Sequence, residues 1–144
     1  MKTRLFYLLI FVLAGPSLWA QLKHTQHQTF QMDSINQVRI ELVDSFAVET
    51  WAGNQLMTET QVQLYQASES VLKFFLKNER YTIVDDSTDA DNSTLLLRSK
   101  DTVRKGVKTK FGECEEKVHV RIFVPRDFEK KQFNVWARPP KKEE

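Results

Sequence analysis

Val118-His119-Val120-Arg121-Ile122-Phe123-Val124-Pro125 is the stretch whose reading decides the fold. Val118, Val120, Ile122 and Val124 recur at every second position, and period two is the repeat of a strand with one face in a core. Pro125 lacks the amide that a ladder needs and ends the run. His119, Arg121 and Phe123 project to the opposite face. His119 has no sequence-evident Ser or Cys partner for a nucleophilic pair, so it reads as a structural or solvent-facing histidine.

On the C-terminal side, Phe133, Val135 and Ala137 alternate as a last strand with Trp136 on its reverse face. Pro139-Pro140-Lys141-Lys142-Glu143-Glu144 cannot continue a sheet and reads as a flexible tail. On the N-terminal side, the basic run Lys100, Arg104, Lys105, Lys108 and Lys110 meets Glu113, Glu115 and Glu116 around Phe111-Gly112. These are the arms of a solvated hairpin whose opposite charges pair across strands. A patch for anionic glycan, lipid headgroup or nucleic acid would interleave aromatics, and this run lacks them. Cys114 lies among those acids, which disfavour the thiolate, so it reads as an inert or partly buried thiol, with an intermolecular disulfide as the alternative. It is the sole cysteine and cannot make an intramolecular bridge.

Further upstream, strand character appears over residues 93–98, through Leu95 and Leu97, and over residues 81–84. Between them Asp85-Asp86-Ser87-Thr88-Asp89-Ala90-Asp91-Asn92 reads as a solvated turn. A calcium loop counted from Asp89 would need Gly and Glu where Thr94 and Lys100 stand. Asn92-Ser93-Thr94 also matches the short glycosylation sequon. One segment is helical: Ser68 is placed to cap it, Glu69 suits its first turn, and Val71, Leu72, Phe75 and Leu76 recur at helical spacing up to Asn78.

Residues 35–65 return to period two. Val38, Ile40 and Leu42 make one strand, Phe46 and Val48 resume the pattern, and Val62 and Leu64 answer beyond Gly53-Asn54, which predicts a β-hairpin across that pair. Trp51 falls on the reverse face of its strand. Residues 21–34 are polar and read as a tether or a weak first strand. His24 and His27 lie there without a Cys, Asp or Glu to complete a metal set.

The N-terminus has the layout of a cleavable secretory signal. Lys2 and Arg4 precede an apolar run over residues 5–14, and Gly15-Pro16 leads to Ser17-Leu18-Trp19-Ala20, with Ala20 the last residue removed. The run falls short of the roughly 20 apolar residues that span a bilayer as a helix. Removing Lys2 and Arg4 turns a net charge of +2, from 21 basic and 19 acidic residues, into 19 against 19. A neutral chain lacks the cationic excess of a nucleic-acid binder, so nucleic acid is disfavoured as a partner.

The order of an early strand, a hairpin and a strand ending in Ile122-Phe123-Val124-Pro125-Arg126-Asp127-Phe128 resembles exported bacterial adhesin domains of the head-GIN type. In that family a similar V-x-V-x-I-x-V-P-x-x-F strand leads into stacked β-solenoid coils. This chain departs from the pattern in lacking repeated glycine-rich coils after that strand and in carrying the helix at residues 68–78. The resemblance implies an exported β protein with an envelope or surface role and assigns no functional residues.

Together these readings give a mainly β chain: an antiparallel sheet, or a sandwich or solenoid-like β domain, with one short amphipathic helix. Residues 1–20 are the signal, 35–138 a single mostly β domain and 139–144 the tail. The expected function is a non-catalytic binding or structural module in the periplasm, at the cell surface or secreted, whose partner is an envelope or surface protein or a glycan. Trp51 and Trp136 are its candidate ligand surface, with burial under the helix or in a second layer as the alternative for both. No catalytic, cofactor or metal residues stand out, and no transmembrane segment is expected once the signal is removed. The alternative is a small exported enzyme that uses acid/base carboxylates.

Overall fold

The computed structural model describes residues 21–88 and 93–140. The alternation at residues 118–124 becomes the middle of β9 (Glu115–Pro125), the longest strand and the centre of sheet A. On one side β9 pairs antiparallel with β4 (Leu56–Tyr65), which pairs antiparallel with β1 (Leu22–Phe30). On the other side it pairs in parallel with β3 (Ser45–Trp51). Sheet B is built round a parallel pair, β2 (Gln37–Glu41) and β6 (Thr94–Ser99). β11 (Val135–Ala137) and β10 (Glu129–Gln132) extend it past β2, and β5 (Ile83–Asp85) extends it past β6. A ribbon of β7 (Lys108–Thr109) and β8 (Gly112–Glu113) turns at Lys110-Phe111, with Gly112 at a φ of +117° that favours glycine.

The two sheets enclose the larger core. β9 contributes Val120, Ile122 and Val124 and β4 contributes Leu56, while sheet B contributes Val38, Ile40, Ile83, Leu95 and Leu97, with Met32 and Phe128 at the ends. β4 and β9 run on past sheet B, and there α1 (Glu69–Lys77) takes its place. Phe75 is buried with Val62, Leu64, Ala67, Tyr81 and Cys114, and Val71, Leu72 and Leu76 pack beside them. That is the apolar stripe read from the sequence. The Ser68 carbonyl accepts from Val71 and Leu72, and the Asn78 amide closes the far end on the Phe74 carbonyl at 2.7 Å. The result is a β sandwich with one short helix.

Two expectations fail. No hairpin joins β3 and β4, because β9 lies between them and pairs with both. At the link Trp51 donates its indole N–H to the Gln55 carbonyl at 2.9 Å, and its ring lies so close over Gly53 that any Cβ there would collide with it. Trp136 does not lie on the reverse face of its strand. It sits opposite Val38 and packs against the first core, because Phe133 and Asn134 form the turn between β10 and β11 and break the alternation that Phe133 would have started. Leu22–Phe30, left open between tether and strand, is nine residues of strand.

One sandwich edge is closed by side chains. The Gln28 amide donates to the Ile83 carbonyl at 2.8 Å and accepts from the Ile83 N–H at 2.9 Å, so it stands where a neighbouring strand's peptide group would. Gln26 donates to the Tyr81 carbonyl at 3.1 Å. Between these glutamines and β9, the hydroxyls of Thr58 and Thr60 are buried with no hydrogen-bond partner among the described residues.

Candidate functional site

Sheet B and α1 both pack on the inner face of sheet A, and no element among the described residues covers the other face. Alternation puts Ser45, Ala47, Glu49 and Trp51 of β3 on that outer face, beside His119, Arg121 and Phe123 of β9, Met57, Glu59 and Gln61 of β4, and Thr25, His27 and Thr29 of β1. At one end Trp51 and Phe123 lie 6.2 Å apart, and the Arg121 guanidinium stands 4.8 Å above the Phe123 ring. Arg121 also pairs with Glu49 at 3.1 Å and Glu59 at 3.4 Å. Glu59 accepts from Gln61 at 2.8 Å and meets His27 at 3.2 Å, and with Arg121 these neighbours hold its carboxyl below the ordinary range. The arrangement offers two rings held in place beside a run of linked charges, which suits contact with a polar ligand that has an apolar face.

Of the two candidate tryptophans, Trp51 thus lies on this outer face, half-buried and anchored at Gln55. Trp136 belongs to the core side of sheet B, where its buried indole N–H meets no partner among the described residues. The outer face of sheet B carries Val84, Leu96, Val135 and the paired charges of Glu41, Arg98 and Asp86, and no aromatic ring.

His119 has a partner that no local window shows. Ser45 Oγ lies 3.0 Å from its Nδ1, in register across the parallel β3–β9 pair and 74 positions away in sequence. The Ser45 hydroxyl also reaches the Val118 carbonyl at 3.2 Å, and which group donates in the histidine contact depends on the imidazole tautomer. His24 and His27 fall on opposite faces of β1 and cannot converge on one ion. No cluster of three metal-ligating side chains occurs among the described residues.

The densest polar cluster lies half-buried beside α1, around the buried Tyr81. Arg80 forks onto Glu116 at 2.8 and 2.7 Å and also donates to the Lys105 carbonyl. The Tyr81 hydroxyl donates to Glu116 at 2.5 Å, and Arg104 forks onto Asp44 at 2.5 and 2.7 Å while donating to the Arg80 carbonyl. Burial alone would raise the Glu116 carboxyl, but the Arg80 and Tyr81 hydrogen bonds and the Arg80 and Arg104 charges outweigh it and hold the group low. Burial, and then Glu116, push the Tyr81 hydroxyl far up. Every charge has a bonded counterpart, so the cluster ties the helix, β9 and two loops together. Burial also raises the Cys114 thiol, as does the nearby Glu116, which keeps it protonated and unreactive.

Two members of the basic run sit in ion pairs, Lys100 on Glu79 and Arg104 on Asp44, and Lys108 stands opposite Glu113 in the β7–β8 register. A shallow cleft of about 640 Å³ lies between Asp33, Ser34, Asn36 and the Arg138-Pro139-Pro140 segment. The one cation among its described lining residues, Arg138, is already bound to Asp127 and the Met32 carbonyl. Residues 1–20, expected to be a signal, the later half of the acidic turn with Asn92 of the sequon, and residues 141–144 lie outside the described residues. Among the described helices none is long and apolar enough to cross a membrane. Comparison of the chain with protein-family models, with curated proteins and with solved structures finds no match.

Proposed function

We propose that the chain is an exported, non-catalytic β-sandwich module that binds an envelope or surface protein or a glycan through the outer face of sheet A. The observation that carries this reading is the uncovered four-stranded face on which Trp51 and Phe123 are fixed beside Arg121, Glu49 and Glu59. Such a face presents rigid aromatic area with little rotamer freedom to lose on contact, the economy used at binding surfaces. The carboxylates support it from another side. Glu41, Glu59 and Glu116 are all shifted down, the direction of structural ion pairs and away from that of an acid held protonated near neutral pH.

In-cell crosslinking with mass spectrometry tests the reading. A photo-crosslinker at Gln61, on the outer face of sheet A, is expected to capture one reproducible neighbour, and the same group at Arg39, on the outer face of sheet B, to capture none. Exchange of Trp51 and Phe123 for Ala should abolish the Gln61 capture. The mature N-terminus is expected at Gln21; a chain that retains Met1 in the fractionated cell overturns export, and equal capture from both faces overturns the site.

A further inference from the structure

We infer that β3 is the edge through which two copies of this chain pair, antiparallel about a two-fold axis at Val48. Four strands end the two sheets, and they are guarded unequally. β10 carries Lys130 and Lys131 among four exposed residues and is bulged against β11, both of which discourage strand addition. β5 is three residues long, and the Gln28 amide occupies its free side at Ile83. β1 carries Lys23, is otherwise largely polar, and has Gln26 and Gln28 committed to β5.

β3 has none of these devices. Its seven residues contain no Lys and no Pro, and they pair with β9 in unbroken register. Along its other side no backbone group meets a hydrogen-bond partner among the described residues. Its one charge, Glu49, is already balanced by Arg121. Apolar surface accompanies the open ladder, because Phe133, 71% exposed, stacks on Phe46 at 5.2 Å.

The occupant follows from the strand's own pattern. An antiparallel pair centred on Val48 engages all seven residues: Ser45 meets Trp51 of the second copy, Phe46 meets Thr50, and Glu49 meets Ala47. Residues of one face meet residues of the same face, and no like charges oppose each other. A shift of the axis to Glu49 would set the two glutamates against each other and shorten the overlap. The two sheets A would then join as one continuous eight-stranded sheet closed by its symmetry.

Sedimentation velocity on the purified protein across a micromolar range, with hydrogen exchange on the same samples, tests the pairing. The wild type should dimerise, with β3 amides protected as concentration rises. Ala47→Glu, on an exposed position facing Arg121 of its own chain, sets acid against Glu49 of the second copy twice and should weaken the dimer about tenfold. Ala47→Gln brings comparable size without the charge and should leave the dimer within about twofold of the wild type, with thermal melts showing both variants folded. A monomer at every concentration overturns the inference, whether its β3 amides are exposed or are protected by another part of the same chain. A dimer that Ala47→Glu does not weaken overturns it as well.

Discussion

The interior of this protein has two halves built on different physics. Between the sheets, Val38, Ile40, Leu95, Leu97, Val120, Ile122 and Val124 meet with few polar atoms, among them the hydroxyls of Thr58 and Thr60 and the indole N–H of Trp136. Under α1, the apolar group round Phe75 is joined to a chain of forked ion pairs, Arg80 to Glu116 and Arg104 to Asp44, with the Tyr81 hydroxyl on Glu116. The Arg80 and Arg104 guanidiniums also lie over the rings of Phe75 and Tyr81, at 4.6 and 5.0 Å. The first half tolerates changes of pH and salt, since burial of apolar area is indifferent to both. The second depends on groups staying ionised.

The sharpest way to break the comparison is to remove a charge from the helical half. Glu116→Ala leaves the Arg80 guanidinium, 10% exposed, without its forked partner and should cost about 4 kcal/mol in denaturant unfolding. Leu97→Ala, at a fully buried site between the sheets, should cost about 3 kcal/mol through lost contact and a residual cavity. The two losses should differ in character: the Leu97 penalty stays constant between acid and neutral pH, whereas the Glu116 penalty shrinks in acid.

The sign of that change follows from Glu116 itself. Its carboxyl titrates lower in the fold than in the unfolded chain, so its contribution is whole above the ordinary carboxylate range, about 4.3. It is lost as pH falls from there through the lower folded value. Wild-type stability should therefore drop over that acid window, and Glu116→Gln should flatten part of the drop. The remainder belongs to surface carboxylates such as Glu41, held low by its hydrogen bond from Arg98. The smallest effect runs the other way. Thr58→Val keeps the shape at a fully buried site and removes an unpartnered hydroxyl, so it should raise stability by about 1 kcal/mol, measured by the unfolding midpoint.

The same division explains what could be read before the structure. Period two at Val118 to Val124 and the stripe at Val71, Leu72, Phe75 and Leu76 are local patterns, and β9 and α1 follow from them. The turn at Phe111-Gly112 is local too. Strand order is not: β9 enters between β3 and β4 from 50 or more positions downstream, and a window round Gly53 contains nothing of it. The parallel pairs β2–β6 and β3–β9 are equally nonlocal. On the outer face, alternation locates Trp51, Arg121 and Phe123 one strand at a time, but it does not bring them together. The Arg121–Glu49–Glu59 links and the Ser45–His119 contact come from register, as does the fork of Arg80 on Glu116, 36 positions apart. Trp136 shows the other failure, where a two-residue turn reverses the parity of the strand that follows.

The Gln28 amide seated on Ile83 has a mechanical consequence. Along β1 and β5 the two sheets are laced by three hydrogen bonds from Gln26 and Gln28, whereas at the far side, along β3, the visible join is the ring of Phe46 against Phe133. Under load or heat the layers should part like a book, with its spine at Gln28 and its fore-edge at Phe133. Only Asn and Gln carry both halves of a peptide group in a side chain, and Asn is one methylene shorter. The binding of that book thus hangs on a position with almost no substitute.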